Sequence, residues 1–412
     1  MLDIKFIREN PDAVRTAAKN KNSDPGKVDE TIKLDKARRQ LLVEIENLRA
    51  KRNTTTKDQI NEGKKIKDQL KKLEPQLKEV EEKLDITLRQ IPNIPFDDVP
   101  VGKDESENKP IRKWGTPKKF DFTPKDHLEL GEKLGIINMA AAAKITGARF
   151  GYFMGDLALM EIALVQYAFQ KLVKKGFIPI IPPVMIKPEV FVRMARLDPG
   201  QEEERYFLPK DNLYLVGSAE HTLGPLHMDE VLNESQLPLR YVGFSSCFRR
   251  EAGSYGKDTR GMLRVHQFDK VEMECFTVPE ESRKEQDFLV SIQEEIMQDL
   301  NIPYQVVDIC TGDMGGPDAR QIDVESWMPA QNKYRETQTA DLMTDYQSRR
   351  LNTRVKRKDG KIELVHMNDA TCIAIGRTII AILENYQNPD GSVTIPEVLR
   401  PYMGKDKISS KK

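Results

Sequence analysis

The sequence predicts an α+β protein with an N-terminal antiparallel helical coiled coil, and three patterns carry this prediction. Apolar residues recur at alternating steps of four and three between residues 66 and 91, which is the spacing of a coiled-coil seam. Residues 241–276 have the pattern of a strand, a long polar loop and a returning strand. Residues 156–175 have the period of an amphipathic helix, and a β-prone segment follows at residues 177–183. Strands and helices in separate runs indicate the α+β class.

Length and composition limit the class of protein. A chain of 412 residues suits two domains with a sizeable core, and we place their boundary at residue 105. The 65 lysines and arginines balance the 65 aspartates and glutamates, so net charge alone indicates no partner. No apolar run of about 18 residues and no signal peptide is evident, so we expect a cytoplasmic protein without a membrane segment.

The cysteines argue against two kinds of site. They lie far apart, with no CxxC pair and no nearby pair of histidines, so we expect no zinc and no disulfide framework. They are Cys247, Cys275, Cys310 and Cys372.

The first hundred residues predict a helical hairpin. Residues 3–19 fit one short helix, and two longer helices follow with a polar turn at residues 53–56 between them. The seam residues are Leu34, Leu41, Ile45 and Leu48 in the first long helix, and Ile66, Leu70, Leu73, Leu77, Val80, Leu84, Leu88 and Ile91 in the second. Pro75 should kink the second helix locally, and Pro92 and Pro95 should end it. At 1.5 Å per residue this helix would be about 50 Å long, so we expect it to project.

This hairpin is strongly basic between residues 33 and 72. Thirteen basic residues stand against six acidic ones there, which leaves a surplus of seven positive charges. The basic residues are Lys33, Lys36, Arg38, Arg39, Arg49, Lys51, Arg52, Lys57, Lys64, Lys65, Lys67, Lys71 and Lys72. A cationic rod offers phosphate contacts that weaken with salt. The alternative is an ordinary solvated coiled coil.

The middle of the chain begins with a polar, proline-rich segment at residues 104–125, which we interpret as a linker. The helix at residues 156–175 ends before Gly176. The strand that follows carries prolines, which favours a position at the edge of a sheet. A short strand at residues 213–216 leads into Ser218, Ala219 and Glu220.

The loop at residues 245–272 gathers most of the chemistry. Its charged residues are Arg249, Arg250, Lys257, Arg260, Arg264 and Lys270, around Glu251, Asp258 and Asp269. Arginines held between two strands suit a polyphosphate, because guanidinium groups bind phosphate oxygens in bidentate fashion. A solvated charged hairpin is the alternative for a loop of this composition.

The same loop resembles motif 2 of the class II aminoacyl-tRNA synthetases, in the form found in seryl-tRNA synthetases. The matching segments are Phe248-Arg249-Arg250-Glu251-Ala252-Gly253, Asp258-Thr259-Arg260-Gly261 and His266-Gln267-Phe268-Asp269-Lys270-Val271-Glu272. The resemblance implies the class II synthetase catalytic fold, an antiparallel sheet flanked by helices, in residues 106–412. It also implies that residues 1–105 form a tRNA-binding domain with the coiled-coil arm.

Three other segments extend the resemblance. The helix and strand of residues 156–183 resemble motif 1, which implies a homodimer. Residues 306–331 resemble the strand pair that serves as sheet scaffold. Residues 366–377 resemble motif 3, whose arginine, here Arg377, opens a helix.

The resemblance assigns a serine-binding set, with some departures from the family pattern. The set is Ser218, Ala219, Glu220, Arg249, Glu272, Asp369 and Thr371. Ser218 replaces the usual threonine, Thr371 stands for a serine, and Asp369 stands for an asparagine. The added charge of Asp369 could strengthen or disturb the hold on the substrate ammonium, and sequence leaves both open.

The resemblance also assigns a nucleotide site. Its residues are Arg249, Arg250, Glu251, Val265, Phe268, Glu336, Thr337, Gln338, Thr339 and Arg377. Arg249 and Arg377 are the expected catalytic residues, and Glu336 with Thr339 would hold Mg²⁺ through a carboxylate and a hydroxyl. Thr339 replaces the usual serine.

Together these assignments imply a serine–tRNA ligase that uses ATP and Mg²⁺ and charges tRNA(Ser) through the basic arm. Whether tRNA(Sec) is also charged stays open. One alternative is a paralogue that loads a carrier protein, against which the intact arm argues. The other is a non-catalytic RNA-binding protein, which only the departures between Asp369 and Cys372 favour.

Overall fold

A computed structural model of the chain describes residues 1–54, 60–252 and 261–410. The chain divides into two compact units, Met1–Pro95 and Phe96–Lys412, so the division falls before the predicted boundary at residue 105. In the described ranges no helix combines the length and the apolar character needed to cross a bilayer. All four cysteines are buried and carry free thiols.

The N-terminal unit is helical. Its helices are α1 (Ile4–Glu9), α2 (Pro11–Asn20), α3 (Gly26–Thr54) and α4 (Ile60–Arg89). The prediction of one helix over residues 3–19 is wrong, because the segment holds two helices. The Asp3 carboxylate caps α1 by accepting from the Lys5 amide, and Pro11 begins α2, where a missing N–H costs nothing.

Helices α3 and α4 form the predicted hairpin. Ile45, Ile66 and Leu70 are buried together, with Leu48, Leu73 and Leu77 packed against them. Two ion pairs show that the helices are antiparallel: Arg38 lies 3.0 Å from Glu81, and Arg49 lies 2.8 Å from Glu74. Helix α4 continues through Pro75. The predicted turn at residues 53–56 is wrong in its first half, because Asn53 and Thr54 still belong to α3. Thr55 and Thr56, with Lys57 and Asp58, lie outside the described residues.

The second unit contains nine helices in its described part. They are α5 (His127–Leu134), α6 (Met139–Thr146), α7 (Asp156–Lys174), α8 (Pro188–Arg193), α9 (Glu220–Leu223), α10 (Ser282–Asp299), α11 (Tyr346–Leu351), α12 (Ile375–Asn385) and α13 (Arg400–Met403). Helix α7 has almost the bounds predicted for the amphipathic helix, and Gly176 follows it with a φ of +88°. Such a left-handed residue is a common helix ending.

The strands of this unit are β1 (Lys109–Trp114), β2 (Ile137–Asn138), β3 (Tyr152–Phe153), β4 (Ile178–Ile180), β5 (Met185–Ile186), β6 (Phe207–Leu208), β7 (Leu213–Leu215), β8 (Val231–Asn233), β9 (Leu239–Phe248), β10 (Gln267–Thr277), β11 (Tyr304–Asp308), β12 (Arg320–Met328), β13 (Lys333–Thr344), β14 (Arg354–Lys356), β15 (Ile362–Leu364), β16 (His366–Ala374), β17 (Val393–Thr394) and β18 (Lys407–Ile408). Among the described residues, eight of them form one sheet in the order β1-β11-β12-β13-β16-β10-β9-β4.

This sheet is antiparallel except between β4 and β9, which run parallel. The predicted antiparallel sheet and the pairing of the two strands around the central loop are therefore confirmed. Strand β4 lies at one edge, as its prolines require. The interpretation of residues 104–125 as a linker is wrong in part, because β1 forms the opposite edge by pairing with β11.

The central strands separate core from site by simple alternation. On β10, Val271, Met273 and Cys275 enter the hydrophobic core together with residues of α7, α10 and α12. Successive side chains of a strand point to opposite faces, so Lys270, Glu272 and Glu274 share the other face. That face carries the polar site.

Candidate active site

Two distant arginines meet at one cavity. Arg249 follows the last residue of β9, and Arg377 lies in the first turn of α12. Both line one cavity. The predicted site residues that line it with them are Glu251, Val265, Phe268, Glu336, Thr337, Thr339 and Thr371. Lys270 of β10 also lines it, whereas Glu272 does not.

One wall of the cavity is apolar and aromatic. The Arg249 guanidinium lies 5.3 Å from the centre of the Phe268 ring, and Val265 is buried beside it. Glu251 forms an ion pair with Arg264 and has a φ of +51°, a left-handed conformation that is uncommon for a residue with a side chain. A flat apolar surface beside a fixed carboxylate suits a purine ring with an amino group.

A histidine positions the segment that carries this wall. The Met262 amide donates to Nε2 of His127 over 3.1 Å, and Nδ1 of His127 lies 3.2 Å from Oε1 of Glu384 in α12. Gly261 packs so closely that an added Cβ would lie 2.3 Å from Nε2 of His127. The segment after the central loop is therefore tied to the helix that carries Arg377.

Two β-bulges decide which side chains face the cavity. Where β12 pairs with β13, Val324 lies opposite Gln338 and Glu325 lies opposite Glu336. Thr337 of β13 is therefore the extra residue. Without this bulge Glu336 and Thr339 would point to opposite faces, because their spacing is odd. Both line the cavity because of it. A second bulge, at Cys372 of β16, likewise lets Thr371 and Ala374 line the cavity together, although their spacing is also odd.

Buried glutamines satisfy the carbonyl groups at these bulges. The Gln293 side-chain amide of α10 donates to the Thr339 carbonyl over 2.6 Å and to the Thr371 carbonyl over 2.9 Å. The Gln338 amide donates to the Cys372 carbonyl over 2.6 Å. Buried backbone groups without partners are costly, so these amides stabilise the irregular backbone.

The end of the cavity at Arg377 combines a cation with oxygen donors. Nη1 of Arg377 lies 2.9 Å from Oε1 of Glu336 and also donates to the Glu336 carbonyl over 3.1 Å. The Thr339 hydroxyl donates to Asp341 over 3.2 Å. Glu336 is 47% exposed, so its carboxylate can exchange partners. A carboxylate and a hydroxyl on one face are hard oxygen donors of the kind that Mg²⁺ uses, so these residues fit the predicted ion.

The serine-binding set converges on Glu272. Oε1 of Glu272 accepts from the Ser218 hydroxyl over 3.2 Å and from the Thr371 hydroxyl over 3.4 Å. Lys270, on the same face of β10, forms an ion pair with it. Glu272 is 1% exposed, so a carboxylate charge there is held by three partners rather than by water.

Glu220, another member of the predicted serine-binding set, forms an ion pair with an arginine instead of contacting Glu272. Its Oε1 lies 2.5 Å from Nε of Arg196, whose Nη2 lies 3.6 Å from Oδ2 of Asp369. Burial alone would raise the pKa of Glu220, but Arg196, Lys270 and Arg249 together outweigh it and hold this pKa below its ordinary value. Glu220 is therefore anionic at neutral pH.

Three more carboxyl groups form a row across neighbouring strands. Glu274 pairs with Asp369, and Asp369 pairs with Asp341, so the row crosses β10, β16 and β13. Burial, followed by the nearest carboxylates, raises the pKa of each. Glu274 is fully buried, and neither of its oxygens has a hydrogen-bond partner in the part of the chain that the structure describes. These groups favour the neutral form.

Some predicted residues do not reach the cavity through their side chains. Gln338 is fully buried and serves the bulge, and Ala219 is also fully buried. Arg250 is exposed, with its guanidinium 5.9 Å from the Tyr206 ring centre. Asp369 lies beneath the site in the carboxyl row. The motif residues Gly253, Asp258, Thr259 and Arg260 lie outside the described residues.

Three cations of the site had no predicted role. Lys270 lies two residues before Glu272, so the alternation of the strand could have revealed it. Arg196 and Arg205 line an adjoining space with Glu220 and Arg249. They follow α8 in an irregular segment, where sequence offers no period from which to place a side chain.

Comparison with known proteins matches both units. Residues 1–95 match the family described as the seryl-tRNA synthetase N-terminal domain. Residues 206–386 match the tRNA synthetase class II core domain (G, H, P, S and T). The serine–tRNA ligase of Fervidobacterium nodosum is 44% identical, and the match covers 99% of each chain. The chain belongs to the serine–tRNA ligase family.

Solved structures of this family agree over the full length. The seryl-tRNA synthetase of Pyrococcus horikoshii, complexed with ATP, is 40% identical with a TM-score of 0.94, and the match covers 100% of each chain. The cytoplasmic serine–tRNA ligase of Naegleria fowleri, in complex with AMP, is 34% identical with a TM-score of 0.90, covering 100% of this chain and 99% of that one. These matches confirm the predicted family, fold class and enzyme class.

Proposed function

We propose that the chain uses the cavity between Arg249 and Arg377 to activate L-serine with ATP and then transfers the seryl group to tRNA(Ser). The observation that carries this proposal is the meeting of these two arginines, 128 residues apart in the sequence, beside the Glu272 hydroxyl-binding group. Membership of the serine–tRNA ligase family supports it.

The first step is a nucleotidyl transfer. A serine carboxylate oxygen bonds to the α-phosphorus of ATP, the bond from that phosphorus to the bridging oxygen breaks, and pyrophosphate leaves. In the second step the terminal ribose hydroxyl of the tRNA attacks the carbonyl carbon of the adenylate, and AMP leaves. No side chain acts as a nucleophile, so positioning and charge stabilisation supply the catalysis.

Arg249 and Arg377 divide the triphosphate between them. Arg249 stands between the Phe268 wall and the serine side, so it faces the α-phosphate and the reacting carboxylate. Arg377 stands at the far end beside Glu336, where the terminal phosphates would lie. Glu336 and Thr339 would hold Mg²⁺, which supplies neutralisation of phosphate charge when bound.

The serine hydroxyl fits the group around Glu272. Glu272, Ser218 and Thr371 form a buried set that can both donate and accept. A site of this kind rejects alanine, because its polar groups would lose a partner while remaining buried. The Glu220 carboxylate is placed to accept the substrate ammonium.

The tRNA and the second subunit belong to other surfaces. The basic residues of α3 and α4 would contact the tRNA backbone. Helix α7 and the segment around β4 expose apolar side chains, including Leu159, Ile162 and Ile181, which suit the homodimer that motif 1 implies. Charging of tRNA(Sec) and a cytoplasmic location stay predictions.

Pyrophosphate exchange across the amino acids tests the proposal. We expect exchange that depends on serine, ATP and Mg²⁺, with alanine much weaker. Arg249→Ala should abolish exchange without unfolding the protein. Absence of serine-dependent exchange at saturating ATP and Mg²⁺ would refute the assignment. Exchange without aminoacylation of tRNA would favour loading of a carrier protein instead.

A further inference from the structure

Arg205 stands in the adjoining space without a carboxylate to neutralise it. Its Nε donates to the Arg196 carbonyl over 3.3 Å, and its guanidinium lies 5.3 Å from the centre of the Phe191 ring. Among the described residues, no acidic oxygen lies within ion-pairing distance of it, whereas Arg196 and Arg264 pair with Glu220 and Glu251. In the part of the chain that the structure describes, Arg205 therefore has no acidic ion-pair partner.

The surroundings of Arg205 carry both signs of charge. It is half-buried and shares the space with Arg196, Arg249 and Lys270, and also with the carboxyl groups of Glu204, Glu220 and Glu251. Burial, followed by the charges of Arg249 and Arg196, lowers the pKa of Arg205 to about 10. His221 cannot neutralise this charge, because an imidazole is neutral or cationic; its Nδ1 accepts from the Gly217 amide over 3.0 Å. An anion in this space would relieve the repulsion.

Gly217 brings Arg205 close to the reacting centre. A Cβ on this glycine would lie 2.9 Å from Nη1 of Arg205 and 3.4 Å from Cγ of Arg249. The Gly217 carbonyl also accepts from Nε of Arg249 over 3.1 Å. The two arginines therefore flank one backbone residue, immediately before Ser218 and Glu220 of the serine-binding set. Both arginines also line the same space, so one small anion there can be reached from either side chain.

We propose that Arg205 binds the carboxylate of the amino-acid substrate, as a second guanidinium beside Arg249. This inference rests on the proposed function, since it names a contact in the same site. Arg205 would hold the carboxylate oxygen that does not react, while Arg249 faces the α-phosphate. The triphosphate lies towards Arg377, so Arg205 should affect serine much more than ATP.

Substrates with and without a carboxylate give the sharpest test. In pyrophosphate exchange, Arg205→Ala should raise the KM for serine roughly ten- to a hundredfold, the range for losing a hydrogen bond to a charged group. The KM for ATP should change less than about twofold, in contrast to serine. Serinamide, which lacks the carboxylate, should inhibit wild type and Arg205→Ala equally. Arg205→Lys should restore part of the serine affinity.

A control and three outcomes complete the experiment. Glu203→Gln changes an exposed residue in the same turn and should leave all constants at wild-type values. The proposal is overturned if Arg205→Ala leaves the serine KM unchanged, or weakens serinamide as much as serine. It is also overturned if exchange is intact and only transfer to tRNA falls, which would place Arg205 at the tRNA end. A wild-type enzyme without serine-dependent exchange would instead refute the proposed function.

Discussion

At the scale of single residues, the charges of this site are mostly held in pairs. Arg196 with Glu220, Arg264 with Glu251, Lys270 with Glu272 and Arg377 with Glu336 each place a cation beside a carboxylate. Pairing fixes the direction of each side chain before substrate arrives, which is the condition for electrostatic catalysis. The contribution of each paired cation to catalysis therefore depends on its geometry as well as on its charge.

Arg377→Lys tests this dependence on geometry. Lysine keeps the charge but loses the planar fork, so it cannot contact Glu336 and a phosphate in the same arrangement. We expect exchange to fall roughly a hundredfold, as for the loss of one oriented donor at a reacting centre. Arg357→Lys is the matched control, because Arg357 also pairs with carboxylates, Glu280 and Glu363, but does not line the cavity; it should keep wild-type exchange. Equal rates for Arg377→Lys and wild type would contradict this role.

Glu274 gives a prediction for stability against pH. Burial, followed by Asp369, raises its pKa in the folded protein well above the ordinary value of 4.5. Between 4.5 and the raised pKa the folded state holds a proton that the unfolded state releases, so the free energy of unfolding falls as pH rises. Glu274→Gln removes this dependence. Its melting temperature should match wild type near pH 4.5 and exceed it by a few degrees at pH 8.

Melting curves of wild type and Glu274→Gln at both pH values, with Glu203→Gln as an exposed control, test this pH dependence. Parallel pH profiles for wild type and Glu274→Gln would show that the Glu274 carboxyl is not protonated in the fold.

At the scale of elements, the bulges in β13 and β16 matter more than the strands themselves. The period of the sequence predicts strands, but a regular strand would send Glu336 and Thr339 to opposite faces. The extra residues Thr337 and Cys372 change that, and Gln293 of α10 binds a carbonyl at each bulge. One buried amide thus supports both halves of the site.

Gln293→Leu should therefore damage stability and binding together. Two buried carbonyls would lose their partner, at about 1–3 kcal/mol for each. We expect a lower free energy of unfolding in urea, and higher KM values for both ATP and serine in pyrophosphate exchange. Lys284→Leu, at a position of α10 that is 83% exposed, controls for the new side chain. Lower stability with both KM values unchanged would separate the bulges from substrate binding.

At the scale of the whole molecule, we expect the two compact units to have separate functions, tRNA binding in the first and serine activation in the second. The N-terminal unit contains the basic hairpin, and the second unit contains every residue that lines the cavity. Removing residues 30–88 should spare serine-dependent exchange and abolish aminoacylation of tRNA(Ser), because the chemistry does not need the arm. Exchange and aminoacylation assays on the same preparation measure both.

A triple substitution in α4 tests the charge of the hairpin without changing its shape. Lys64, Lys67 and Lys71 are exposed and follow helical spacing on α4, so replacing all three by glutamine keeps the hairpin. The KM for tRNA should rise, and its dependence on salt should become shallower, because fewer phosphate contacts release fewer counterions. Full charging by the deleted form would show that the arm is not the tRNA-binding element.

The sequence by itself determined the helical hairpin, the strands on either side of the central loop, and the family. Heptad spacing and strand alternation follow from local geometry, and a long motif retains its order in any fold that uses it. Only the tertiary structure decided that β1 completes the sheet and that Thr337 and Cys372 are bulged. It alone placed Arg196 and Arg205 beside Arg249. These features depend on contacts between segments far apart in the chain, and a local pattern carries no information about such contacts.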